Sequence, residues 1–134
     1  MADVLEFRID GPMMTAGSAA WGGVGAANVK LSQERLTSAI AQSENVTQLR
    51  EWLARGQRLG VKVEFHLGAQ RVTHSDLDNL LHAVFNTMVE AAGFSRPPGK
   101  PVPQTKDALF WQVEAEKVLD ANEHTVIRIR PLTQ

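Results

Sequence analysis

A small mixed α/β fold, about four strands in one sheet with two or three helices packed on it, follows from three features of the sequence. Apolar and polar residues alternate over four short stretches, at positions 4–9, 61–67, 107–118 and 125–130. Between the first and second stretches, and again between the second and third, apolar residues recur at three- and four-residue steps, the period of an amphipathic helix. A length of 134 residues suits one domain, residues 1–134, and is enough to bury a core without staples. The order strand, helix, strand, helix, strand, strand then predicts helices against a mixed sheet, with residues 61 to about 118 forming a right-handed crossover.

The first strand runs from Val4 to Ile9, with Leu5, Phe7 and Ile9 opposed to Glu6 and Arg8, and Asp10-Gly11-Pro12 ends it. Residues 13–29 have no period and carry Gly17, Gly22, Gly23 and Gly25 around Trp21, which predicts a Gly-rich loop. A phosphate-cradling loop would need Gly-Lys-Ser/Thr after it, and none follows. Helical spacing returns at Ser32 and persists through Leu36, Ile40, Leu49, Trp52 and Leu53 to Gly56, with Ser43-Glu44-Asn45 as a candidate break. Trp52 lies in the apolar stripe and reads as core. Arg50, Arg55 and Arg58 read as solvated surface.

Gly60 opens the second strand, in which Val61, Val63, Phe65 and Leu67 face one way and Lys62, Glu64 and His66 the other; a loop over 68–74 follows. From Asn79 to Ala92 the apolar set Leu80, Leu81, Val84, Phe85 and Met88 opposes a polar stripe of Asp78, Asn79, His82, Asn86 and Glu90, and Gly93 stops the helix. A stiff Pro-rich loop over 94–106 leads to a strand opened by Asp107, with Leu109, Trp111, Val113 and Ala115 on one face. Asp120 to Glu123 makes a turn, and Thr125 to Arg130 returns beside the preceding strand as an antiparallel hairpin.

Composition narrows the function classes. Fourteen basic against 15 acidic residues give a net charge of -1 and no global pull toward polyanions, although a local basic face fits within a neutral total. No run of residues is long and apolar enough to span a membrane, Met1-Ala2-Asp3 is not a signal-peptide start, and cysteine is absent. A cytoplasmic protein without a membrane partner is the expectation. His66 and His74 have no His or Cys partner at ligand spacing, which points away from zinc.

The chemistry-bearing stretch is Ser75-Asp76-Leu77-Asp78-Asn79-Leu80. Ser75 and Asp78 fit an N-cap with an acidic capping-box partner, since acids at the positive end of a helix stabilise it. The same placement concentrates two ionised carboxylates at one exposed helix end, which suits a hard cation such as magnesium. Both readings stand on local sequence.

Arg71-Val-Thr-His-Ser-Asp-Leu-Asp-Asn-Leu80, an amphipathic helix ending Ala-Gly-Phe94, and a following acid that opens a strand together resemble the RusA-type Holliday junction endonucleases. The resemblance covers residues 60 to about 118 well and the first strand loosely. It implies a homodimer that binds branched DNA and resolves four-way junctions in recombination and repair, with Mg2+ or Mn2+ as cofactor. It implies Asp76, Asp78 and Asp107 as metal ligands and catalytic residues, with Lys117 at a frequently basic family position. His82 stands where the family usually carries a lysine, one turn beyond Asp78. Arg71, His74, Arg96, Lys100 and Lys106 are the candidate DNA contacts. The alternative is a protein of this fold that binds DNA or a protein partner without cleaving.

Overall fold

The computed structural model describes residues 4–13, 26–92 and 109–132. In chain order these form β1 (Leu5–Asp10), α1 (Ala26–Ala41), α2 (Val46–Ala54), β2 (Leu59–Leu67), α3 (Ala69–His74), α4 (Leu77–Ala91), β3 (Phe110–Leu119) and β4 (His124–Pro131). Most of the Gly-rich stretch, the Pro-rich loop and Asp107 lie outside the described residues.

Alternation decides which sheet face is buried. Leu5, Phe7 and Ile9 of β1, Val61, Val63, Phe65 and Leu67 of β2, and Ile127 and Ile129 of β4 all point into one core. The helices close that face: Leu36 and Ile40 of α1, Leu49, Trp52 and Leu53 of α2, and Leu80, Val84 and Met88 of α4 complete the cluster. Each such side chain, fully buried, stabilises the fold by about 1.5–3 kcal/mol relative to exposure. The interposed residues Glu6, Arg8, Lys62, Glu64, His66 and Arg128 form the opposite, polar face, which follows from the two-residue period of a strand.

The mixed α/β sheet has four strands in the order β1-β4-β2-β3. β2 pairs with β3 in parallel and with β4 antiparallel, and β4 also pairs antiparallel with β1. The parallel pair requires a crossover, and α3 and α4 supply it.

Several expectations change. β3 and β4 are not a hairpin: β2 lies between them, and the connection Asp120 to Glu123 passes across the end of β2. Crossing one intervening strand spans about 10 Å, within reach of four residues. The backbone N–H of Asp120 donates to the Leu67 carbonyl at 2.9 Å, which ties the crossing segment to the strand that it passes. Residues 69–74, read as loop, are helical, and α1 begins at Ala26, inside the stretch read as Gly-rich loop.

The facing of β3 also shifts. Leu59 partners Phe110 while Gly60 partners Gln112, so Trp111 is an extra residue at a β-bulge. Phe110 takes the core position, its ring 5.2 Å from Phe85, and Trp111 is 60% exposed with the Arg58 guanidinium 4.6 Å from its centroid. Two glycines have positive φ where a turn needs it. Gly11 (φ 91°) turns the chain out of β1, and Gly56 (φ 73°) ends α2 in a Schellman arrangement, with Gln57 N–H on the Trp52 carbonyl.

Candidate functional site

The start of α4 is where the sequence concentrated its acids. Asp76, not Ser75, is the N-cap: its Oδ1 accepts the Asp78 backbone N–H at 3.1 Å. The capping box of Ser75 with Asp78 is therefore replaced by a cap one residue later, because α3 ends at His74 and Ser75 and Asp76 are both extended. Asp76 and Asp78 are exposed at the positive end of a 15-residue helix. Asp76 Oδ2 and both Asp78 carboxylate oxygens lie outside the capping bond, a hard-oxygen donor set that fits magnesium, which usually keeps several waters and takes one or two carboxylates.

Lys117 reaches this end of the helix from β3. Its Nζ donates to the carbonyls of Val72 at 2.7 Å and Ser75 at 3.1 Å. Those oxygens are left without helical partners where α3 stops. An ammonium group thus sits at the junction that presents Asp76. His82 lies one turn beyond Asp78 on the exposed stripe of α4 and is engaged in an interaction of its own.

Other candidates are accounted for differently. The Arg71 guanidinium bonds Glu123 Oε1 through Nε at 2.6 Å and the Met13 carbonyl through its terminal nitrogen, so it clamps α3 to the turn before β4. His74 is the last residue of α3, and its side chain lies outside the described residues, as do Arg96, Lys100, Lys106 and Asp107. Parallel pairing aligns β2 and β3 so that Leu67 partners Leu119 and Leu59 partners Phe110. The chain after Asp107 therefore enters the sheet at the end opposite Lys117, about 23 Å along β3.

A second cluster, missed in sequence, lies on the polar face. His66 of β2 and His124 of β4 are direct cross-strand partners, and their rings stack with centroids 4.0 Å apart and planes 15° apart. His66 Nδ1 is 3.1 Å from Asp120 Oδ2 and its Nε2 is 3.3 Å from Glu64 Oε1. His124 Nδ1 donates to the Asn122 carbonyl at 2.7 Å and lies 4.0 Å from Asp120 Oδ2. The Asn122 N–H on Oδ1 is the largest cause that holds the Asp120 carboxyl below its ordinary range, with His66 adding to it. The expectation that His66 lacks a partner fails because β4 lies beside β2. No local spacing reveals it; only the antiparallel register of strands 58 residues apart does.

Glu64 joins this cluster to a cross-strand ion network. Arg128 Nη1 bonds Glu64 Oε2 at 2.7 Å and its Nε bonds Glu6 Oε1 at 2.9 Å. That contact with Arg128 chiefly lowers the Glu64 pKa from its ordinary value of 4.5. At the far end of the sheet, Arg58, Trp111, Gln112, Arg130, Pro131 and Leu132 line an open cleft of about 520 Å³.

Among the described residues no helix is long and apolar enough to cross a membrane. Compared with known proteins, the sequence matches no protein-family model and no curated protein.

Proposed function

We propose that the Asp76–Asp78 end of α4 is the centre of a magnesium-dependent endonuclease acting on branched DNA, four-way junctions above all. The observation that carries this reading is the convergence of two exposed carboxylates with the Lys117 ammonium at one helix start. Asp76 Oδ2 and the Asp78 carboxylate hold the metal; Asp107, the third acid that the family resemblance adds, precedes Phe110 by only three residues, and Phe110 is at the end of β3 opposite Lys117, so Asp107 is left out of the ligand set. When bound, Mg2+ or Mn2+ supplies a water of lowered pKa and neutralises charge that builds on the phosphate. Asp76 keeps its other oxygen on the Asp78 N–H, which fixes the carboxylate's direction. Lys117 is a positioning residue: its Nζ is spent on the Val72 and Ser75 carbonyls, so it sets the backbone that carries Asp76. His82, on the same stripe one turn on, occupies the place where the family resemblance puts a lysine.

A homodimer completes the reading, because twofold symmetry presents two such sites to opposed strands of a junction. A net charge of -1 makes the affinity for DNA modest and easily lost to salt. A second reading, a protein of this fold that binds DNA or a partner without cutting, is favoured by the internal use of Arg71 and Lys117.

Incubation of a labelled four-way junction with wild type and Asp78→Asn, in Mg2+ or Mn2+, separates the two. Cleavage by wild type that Asp78→Asn abolishes is the expected result. Equal cleavage by both overturns the metal role, and binding without cleavage at any metal concentration establishes the second reading.

A further inference from the structure

We propose that His66, Asp120 and His124 form a site for a borderline divalent transition ion, zinc foremost, on the open polar face of the sheet. This site is independent of the acids at α4. Its three residues come from the end of β2, the turn after β3 and the first position of β4, and one ligand atom from each lies within 4.8 Å of the others. Their side chains are 15%, 32% and 10% exposed, shielded but open to an ion from one side. Two imidazole nitrogens and one carboxylate oxygen favour zinc, cobalt or nickel over magnesium and calcium, which prefer oxygen alone.

The surroundings already orient two of the three ligands. Glu64 Oε1 accepts from His66 Nε2, which leaves Nδ1 directed at Asp120; a carboxylate behind a ligating imidazole fixes its tautomer in this way. The Asn122 N–H holds Asp120 Oδ1, so Oδ2 is the atom turned toward both rings. The third ligand has to move. Rings stacked at 15° cannot both aim a lone pair at one ion, so binding turns His124 out of the stack and exchanges its Asn122 hydrogen bond for the ion. With Nε2 carrying the proton, the His66 Nδ1 lone pair and Asp120 Oδ2 face each other as two donors, and the ion seats between them. A water fills the remaining position. The bound ion fastens the connection that crosses from β3 to β4 onto β2.

The test is a calorimetric titration of Zn2+ into metal-free protein with excess Mg2+ present, repeated with Co2+ by visible absorption. One ion per chain at micromolar affinity is the expected result, weakened about tenfold or more by His66→Gln or His124→Gln and unchanged by Asp78→Asn. Absence of binding below millimolar Zn2+ overturns the proposal. Wild-type affinity in both Gln variants also overturns it, since uptake would then lie elsewhere. Should either variant fail to fold by circular dichroism, the wild-type imidazole proton resonances decide: those of both His66 and His124 shift on Zn2+ addition if the site is real, and stationary signals sink it.

Discussion

Asp76 caps α4 with one oxygen and, in the function we propose, holds the metal with the other, and substitution separates the two. Its Oδ1 caps α4 through the Asp78 N–H, and loss of such a cap typically costs about 0.5–2 kcal/mol. Asp76→Ala is expected to lower the unfolding free energy from a urea melt by that amount and to abolish junction cleavage. Asp76→Ser retains a capping oxygen, so it should recover most of the stability and none of the cleavage; recovery of cleavage would reduce Asp76 to a cap. A second residue concerns stability alone. Thr125 is 1% exposed, and its Oγ1 is buried without a hydrogen-bond partner among the described residues. A hydroxyl in that state carries a desolvation cost that an isosteric methyl does not. Thr125→Val should therefore match wild type or exceed it by up to about 1 kcal/mol in a urea melt, and a clear loss would reveal a partner for the hydroxyl.

Across elements, Arg128 is the tie that joins three strands. From β4 it bonds its direct cross-strand partner Glu6 on β1 and, diagonally, Glu64 on β2. Glu64 is only 18% exposed, and its carboxyl titrates below the ordinary 4.5 chiefly through this bond. The unfolded chain then takes up a proton at higher pH than the folded protein does. Stability from the pair is fully present above pH 4.5 and is lost as the pH falls through the lower folded value. Arg128 is itself 39% exposed, so solvent screening keeps the contribution to about 0.5–1 kcal/mol. Arg128→Leu, melted in EDTA so that no ion at His66 intrudes, should be less stable by that amount at neutral pH. The gap should close on acidification below 4.5. A gap that stays constant with pH would assign the loss to packing of the arginine stem.

At the scale of the whole molecule, what sequence reveals depends on how local its cause is. The core faces of β1, β2 and α4 follow from period alone, because one buried face fixes the alternation; the break at Ser43-Glu44-Asn45 and the acid pair at α4 are equally local. The order of strands is different. Four residues between two amphipathic strands read as a hairpin, and nothing near Asp120 says that β2 lies between them. The His66–His124 pair was hidden with it, and the bulge at Trp111 was hidden because an extra residue leaves the alternation on either side intact. Amide exchange tests the strand order directly. With β2 and β4 interior, amides over 61–66 and 125–129 have partners on both sides and should open only with the global fold. β1 and β3 are edges, so their outward amides should exchange faster, on the order of tenfold or more. A β3–β4 hairpin would instead leave β2 beside at most one of these strands and expose amides now protected. Uniform protection along β3 would carry a further meaning. Its edge exposes Trp111, Val113 and Leu119, and slow exchange there at high protein concentration but not at low would mark that edge as the contact between two copies of the chain.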